Sequence, residues 1–123
     1  MIVDSSVVLA IVQREPQWEQ ALAHLQQASM LRMSAGTLQE LLVVAHCRAV
    51  LPQVETMLEL LDLDVIPVDA ELARRALVLF QRFGKGQGSK AQLNFGDCFA
   101  AALAERDGQP LAFVGSDFAA AGF

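Results

Sequence analysis

The chain has 123 residues, 54% of them hydrophobic, and a formal net charge of −5. This length and composition predict a single domain over residues 1–123 with a sizeable core, and they exclude a disordered chain. The acidic balance argues against a non-specific coat on nucleic acid, and no apolar run reaches the roughly 18–20 residues of a membrane span.

The first half of the chain alternates short apolar runs with longer amphipathic ones. Met1–Asp4 predicts a buried strand, because Ile and Val favour β-structure and the run ends at a polar pair. Helices are predicted at Ser6–Gln13 and Pro16–Gln27, the first capped by serine and the second started by proline. Met30–Met33 predicts a second strand. Thr37–Val50 predicts a helix that is apolar nearly all round, and therefore buried or in a subunit interface.

The second half continues the same alternation. Asp64–Val68 predicts a third strand, and its proline favours a sheet edge or the end of the strand. The other predicted elements are the helices Pro52–Leu61, Ala70–Phe83 (capped by Asp69) and Gly96–Arg106, the loop Gly84–Ser89, the strand Leu111–Val114 and the tail Asp117–Phe123. This order predicts an α/β fold in which helices cover both faces of a parallel sheet.

Four acids lie at or just after predicted strand ends, or early in the helices that follow them: Asp4, Glu40, Asp97 and Asp117. Ligands of open α/β sheets bind outside the carboxyl ends of the strands, so these acids are expected to converge. Clustered carboxylates repel one another, and a hard cation such as Mg²⁺ or Mn²⁺ relieves the repulsion. Such a site suits attack of water on a phosphodiester. Each acid also has a simpler explanation as a helix cap, a dipole-stabilised residue, an ion-pair partner or a turn residue.

Polar and basic residues lie near the same predicted edge. Hydroxyl and amide groups that could orient the carboxylates, or act only as caps, are Ser6, Ser34, Thr37, Asn94 and Ser116. Between Leu72 and Gly96 the chain has five basic residues and no acid: Arg74, Arg75, Arg82, Lys85 and Lys90. This segment predicts a surface for an RNA backbone, with a solvated helix face as the alternative.

The two cysteines, Cys47 and Cys98, have no metal-type spacing. We expect them to be buried free thiols in a reducing compartment. No basic leader precedes the first apolar run, so no signal peptide is expected and the predicted location is the cytoplasm.

Three segments together resemble the PIN-domain family, and within it the VapC toxins of type II toxin–antitoxin systems: MIVDSSVVLAI, SAGTLQELLVV and LNFGDCFAAALAERDGQPLAFVGSDF. The resemblance implies a three-layer α/β/α fold around a parallel sheet of four to five strands. It implies an Mg²⁺- or Mn²⁺-dependent endoribonuclease that forms a homodimer and is inhibited by a cognate VapB-like antitoxin.

The resemblance assigns metal binding to Asp4, Glu40 and Asp97, with Asp117 as the fourth acid and Thr37 and Asn94 in support. Many relatives carry two adjacent acids before the final Phe, whereas this chain has Gly115-Ser116-Asp117-Phe118. Which position holds the fourth ligand is therefore left open by the resemblance, and Ser116 could stand in the place of a lost carboxylate.

Three other functions are alternatives to the nuclease. A weakly active or inactive PIN module would act by binding an antitoxin or RNA. A receiver-like phosphoacceptor would need paired acids at the first strand and a lysine after the last one, but Asp4 stands alone and no lysine follows Lys90. A DNA flap nuclease would need added DNA-binding elements for which 123 residues leave no room.

Overall fold

The protein is described by a computed structural model that covers residues 1–123. Its sheet has four parallel strands in the order β3-β2-β1-β4. The strands are β1 (Ile2–Val3), β2 (Arg32–Ser34), β3 (Asp64–Ile66) and β4 (Leu111–Ala112). The predicted α/β fold is therefore confirmed. The proline prediction is confirmed too, because β3 is an edge strand that ends before Pro67.

Helices connect every pair of successive strands, as parallel pairing requires. They are α1 (Ser5–Val12), α2 (Trp18–Gln26), α3 (Ala35–Cys47), α4 (Leu51–Leu61), α5 (Ala70–Phe83), α6 (Asp97–Asp107) and α7 (Asp117–Ala120). None of these helices has the length and apolar character needed to cross a membrane.

The sheet separates two apolar clusters because successive strand residues point to opposite faces. Ile2 and Leu111 pack with α5, α6 and Phe118 on one face. Val3 and Ala112 pack with residues of α1 to α4 on the other. Helices thus cover both faces, which gives the three-layer α/β/α arrangement.

Central strand β1 lies between β2 and β4, so three strands end beside one another at one edge. The side chain of Asp4, directly after β1, caps α1, and that of Ser34, the last residue of β2, caps α3. Both helices therefore begin at this edge of the sheet, where the predicted site lies.

Several local predictions differ from the structure. Helix α2 begins at Trp18 and not at Pro16, because Gln17 adopts a left-handed conformation with φ of 70°. The expected C-terminal tail contains α7, whose Phe118 is buried against Phe113 and Phe123.

Helix α3, predicted to be buried or to lie in a subunit interface, is buried along one face within the chain, and the interface stays a prediction. Thr37, Leu41 and Ala45 form one buried stripe, at the i, i+4, i+8 spacing of a single helix face, and Val43 is 55% exposed. The expectation of two buried thiols is wrong for Cys47, which is exposed, whereas Cys98 is buried; both are free.

Candidate functional site

Asp4 follows β1 and is the most deeply buried of the candidate acids, with 2% of its surface exposed. Its Oδ2 accepts hydrogen bonds from the backbone nitrogen of Ser6 at 3.0 Å and from the Ser6 hydroxyl at 2.6 Å. Its Oδ1 is also buried and has no hydrogen-bond partner. A buried carboxylate oxygen without a partner requires a ligand, a water or an ion. Asp4 is thus a helix cap with one oxygen left to bind something else.

The Ser6 side chain connects two strand ends. Besides donating to Asp4, its hydroxyl accepts a hydrogen bond from the backbone nitrogen of Val114 at 3.0 Å. Because Val114 lies just after β4, this bridge holds the carboxyl end of β4 beside that of β1. The structure therefore gives Ser6 the contact with a carboxylate that was predicted for it.

Glu40 reaches the same edge from the second turn of α3 and is half-buried. Its Oε1 accepts a hydrogen bond from the Ser5 hydroxyl at 2.9 Å. Successive residues of a helix point about 100° apart, so Ser5 and Ser6 can serve two different acids. Ser5 was not among the residues predicted for the site, although the Ser-Ser pair immediately after the strand was a signal for it.

Gly96 is a second residue that the sequence analysis missed. A Cβ at this position would overlap the carboxylate of Glu40. Glycine therefore allows the start of α6 to approach α3 closely, and it brings Asp97 beside Glu40. A glycine immediately before a candidate acid was the available signal.

Asp97 begins α6 and is joined to Asn94 by two reciprocal hydrogen bonds. The Asn94 backbone nitrogen donates to Asp97 Oδ2 at 2.9 Å, and the Asp97 backbone nitrogen donates to Asn94 Oδ1 at 2.9 Å. Such a reciprocal pair satisfies free donors at a helix start and fixes the carboxylate at the same time.

Electrostatics shows that the acids influence one another. Burial, with added repulsion from Asp4, Glu40 and Asp117, raises the pKa of Asp97 to about 6. Burial, and secondarily the charge of Asp4, raises the pKa of Glu40, and burial raises that of Asp4. Asp117 is exposed at the start of α7, yet its charge acts on Asp97.

No lysine, arginine or histidine forms an ion pair with any of these four acids. The cluster is therefore anionic and has no cationic partner within the chain. Among the four acids, Asp4 has a buried carboxylate oxygen, Oδ1, that accepts no hydrogen bond.

The donor chemistry of the cluster fits a hard divalent cation. All the candidate donors are carboxylate oxygens, which Mg²⁺ and Mn²⁺ prefer. No three of the side chains already stand in position around one common point. Mg²⁺ is usually held by one or two carboxylates and keeps several waters, so the cluster suits a cation with one or two direct ligands and the other acids acting through water.

The other predicted supporting residues differ in their contacts. Ser34 caps α3 by accepting from the Gly36 backbone nitrogen at 3.2 Å. Thr37 is fully buried, but its hydroxyl has no hydrogen-bond partner. Ser116 precedes α7, is exposed and forms no side-chain cap. Of the predicted supporting residues, Ser6 and Asn94 alone form hydrogen bonds to an acid of the cluster.

The basic residues between positions 74 and 90 do not form one uniform surface. Arg75 pairs with Glu71 at 3.1 Å, and Arg82 pairs with Glu105 at 3.4 Å. Since Glu105 lies eight residues after Asp97 on α6, or about 12 Å along the helix, Arg82 is held towards the far end of that helix.

The remaining three cations have no acidic partner. Arg74 reaches back to the Ala70 carbonyl at 3.5 Å, and Lys85 and Lys90 are exposed on the loop after α5. These three residues are free to contact an anionic ligand.

Comparison with known proteins identifies one family for the whole chain and a relative that matches over nearly its full length. The PIN domain family matches residues 1–123. The chain is 38% identical over 122 residues to Ribonuclease VapC42 of Mycobacterium tuberculosis, covering 96% of this chain and 92% of the relative.

Two solved structures share the fold. The crystal structure of VapC20 of Mycobacterium tuberculosis, described as a sarcin-ricin loop cleaving toxin, superposes with a TM-score of 0.79 at 19% identity, covering 99% of this chain and 95% of that one. A toxin–antitoxin complex from Klebsiella pneumoniae superposes with a TM-score of 0.71 at 19% identity, covering 96% and 89%.

Proposed function

The chain belongs to the PIN-domain family, and from this premise we propose that it is a VapC-type toxin that hydrolyses RNA with Mg²⁺ or Mn²⁺. One observation supports the metal dependence above all others. Asp4, Glu40 and Asp97 lie together at the carboxyl edge of the sheet, each with a raised pKa and none with a cationic partner. A cluster of this kind gains stability from a bound cation.

The residue roles follow from the contacts. Asp4, through its unpaired Oδ1, and Asp97 are the proposed direct ligands, and Glu40 and Asp117 contribute directly or through water. Ser6 and Asn94 hold the two direct ligands, and Ser5 holds Glu40. A divalent cation held by these residues would supply a water of lowered pKa and positive charge for the leaving oxygen, so that attack of water on phosphorus could accompany breakage of the bond from phosphorus to that oxygen.

The RNA backbone must pass close to the carboxylates, so its phosphates need positive charge on the surrounding surface. Arg74, Lys85 and Lys90 are the proposed contacts, because no acid neutralises them. Arg75 and Arg82 were predicted for the same role, but each is already paired with a glutamate. We therefore assign these two a smaller contribution.

The proposed protein partner is a VapB-like antitoxin, which the resemblance to a toxin–antitoxin complex supports. A basic side chain of that partner would neutralise the acid cluster in place of a metal. The homodimeric state and the cytoplasmic location stay predictions from the sequence.

The alternative, a weakly active binding module, is motivated by Ser116, which stands where many relatives have an acid. Ser116 is exposed, and its side chain forms no hydrogen bond with any of the four candidate acids. The three more buried acids are all present, however, and Asp117 still acts on Asp97. The intact cluster favours the active nuclease.

The direct test is to incubate the purified chain with total bacterial RNA in Mg²⁺, in Mn²⁺ and in EDTA. We expect discrete fragments with at least one metal and none with EDTA. Intact RNA in both metals, from a chain whose circular dichroism shows the folded state, would contradict the proposal and favour the binding module.

A further inference from the structure

A second candidate binding site lies beside the acid cluster. It is a cavity of about 370 Å³ between α5 and the start of α6. All the side chains that line it are apolar, and they include Ala73, Ala76, Leu77, Phe80, Phe95 and Phe99. Neither the metal ligands nor the proposed RNA-backbone contacts use this cavity.

Phe95 forms one wall of the cavity and is 79% exposed, more than any other large apolar side chain of the chain. Its ring packs edge-to-face on Phe99, with centroids 5.2 Å apart and an interplanar angle of 87°. Phe99 in turn lies against Gly36 of α3, where a Cβ would overlap its ring. Phe95 is therefore an exposed aromatic surface that is held in place from behind.

The chain connects this aromatic surface directly to the acid cluster. Phe95 lies inside the turn whose ends, Asn94 and Asp97, exchange two hydrogen bonds of 2.9 Å. Asp97 is thus only two residues along the chain from Phe95, which lines the cavity. On α5, Arg74 lies three residues before Leu77 and hence on a neighbouring position of the same helix face. The cavity is therefore lined by the turn that precedes Asp97 and by the helix that carries Arg74, whose guanidinium has no acidic partner.

We propose that this cavity binds one unpaired RNA base, stacked on Phe95, next to the phosphodiester that is cut. The proposal rests on the nuclease function and adds to it a subsite for the substrate. Stacking of unpaired bases on aromatic side chains is a common mode of single-strand recognition. Since no polar side chain lines the cavity, the site should bind a nucleotide more tightly than a sugar phosphate that lacks a base. It should discriminate only weakly between different bases.

A side chain from a protein partner could fill the same volume. The position of Phe95 beside Asp97 favours the nucleotide, because a phosphate near the acids carries its own base into the immediate surroundings. A partner protein would instead need to place an apolar residue at the cluster that the substrate must reach.

The test uses two uncleavable probes in Mg²⁺: adenosine 5′-monophosphate and ribose 5-phosphate, which differ only by the base. Equilibrium dissociation constants are measured by nuclear magnetic resonance titration. Wild type should bind the nucleotide about 5- to 150-fold more tightly, the range expected for one stacked base. Phe95→Leu should bring this ratio close to one, and Phe95→Tyr should keep it.

Val43→Ala is the matched control, since Val43 is also exposed and apolar but does not line the cavity; it should leave the ratio unchanged. Equal binding of both probes by wild type, or an unchanged ratio in Phe95→Leu, would overturn the proposal. A Phe95→Leu variant with an unchanged ratio but weaker self-association in sedimentation would assign the cavity to a second copy of the chain, and would overturn it too.

The nuclease and the subsite can fail separately. Wild type that cuts RNA but binds both probes equally would refute the base site and leave the nuclease. Wild type that prefers the nucleotide but cuts no RNA in either metal would refute the nuclease and leave the base site.

Discussion

Asn94 and Asp97 exchange two hydrogen bonds of 2.9 Å at the start of α6. The same pair closes the helix terminus and fixes the direction of the carboxylate. The local structure of the chain is thereby coupled to the geometry of the candidate site. Asn94, which is not itself a proposed metal ligand, thus controls the position of one.

Replacing Asn94 by Ala should affect both stability and activity. The variant loses the acceptor for the Asp97 backbone nitrogen, which should lower the free energy of unfolding by about 1 kcal/mol. The freed Asp97 carboxylate should also reduce the cleavage rate. Asn94→Ser retains a capping oxygen and should recover most of the stability. Urea unfolding and initial cleavage rates would check this, and an Ala variant equal to wild type in both would contradict it.

The Ser6 bridge gives a second prediction. Ser6→Ala removes the hydroxyl from between Asp4 and the Val114 backbone nitrogen, which leaves a partly buried donor unpaired. The free energy of unfolding should fall by about 1–3 kcal/mol. Ser6→Thr keeps the hydroxyl and should lose less. If Ala and Thr variants were equally stable by denaturant unfolding, the bridge would have no energetic role.

Gly96 should show strong coupling to Glu40. Gly96→Ala forces the Glu40 carboxylate to move, since the added Cβ overlaps it, and cleavage should fall along with stability. In a Glu40→Ala background the obstruction is gone, so Gly96→Ala should cost little. A double-mutant cycle of unfolding free energies measures this difference. Additive effects of the two substitutions would show that the close approach does not matter.

The metal-free chain should become less stable as the pH rises through the titration of Asp97. Its pKa is about 6 in the folded protein, above the ordinary value of 3.8, so between these values the folded state binds more protons than the unfolded state. The free energy of unfolding should therefore be lower above pH 6 than below about pH 4. After solvent screening, this difference is on the order of 1 kcal/mol.

The matching variant is Asp97→Asn, which removes this titration. In EDTA it should unfold at a higher temperature than wild type at pH 7.5, and the difference should shrink at pH 4.5. Asp4 and Glu40 have pKa values raised in the same direction, so part of the pH dependence should remain in the variant. A variant less stable than wild type at pH 7.5 would contradict the prediction that the ionised Asp97 carboxylate destabilises the metal-free folded state.

The sequence alone was sufficient to predict the parallel sheet and the acids at its carboxyl edge, because strand ends can be located from apolar runs and polar boundaries. It gave only local signals for Ser5 and Gly96, because the role of Ser5 depends on the contact of α1 with α3, and that of Gly96 on the close approach of α6 to α3. The start of α2 was misplaced because nothing local marks the left-handed backbone of Gln17.

Tertiary partners also determine which basic residues are free. The absence of acids between positions 72 and 96 suggested one continuous basic surface. Arg82 is nevertheless paired with Glu105, which is 23 residues away in the chain. Arg75 is paired with Glu71, just outside the segment that was considered.

Metal-dependent cleavage by Asp97→Asn, compared with wild type and Asp62→Asn, tests the central claim most directly. Asp62 is exposed, forms no ion pair and ends α4 in a left-handed conformation that Asn also accepts, so it is a matched control for the loss of one charge. With RNA and Mg²⁺ or Mn²⁺, wild type and Asp62→Asn should produce the same fragments, and Asp97→Asn, still folded, should produce none. Cleavage by Asp97→Asn at the wild-type rate would contradict a carboxylate-held metal as the origin of the activity.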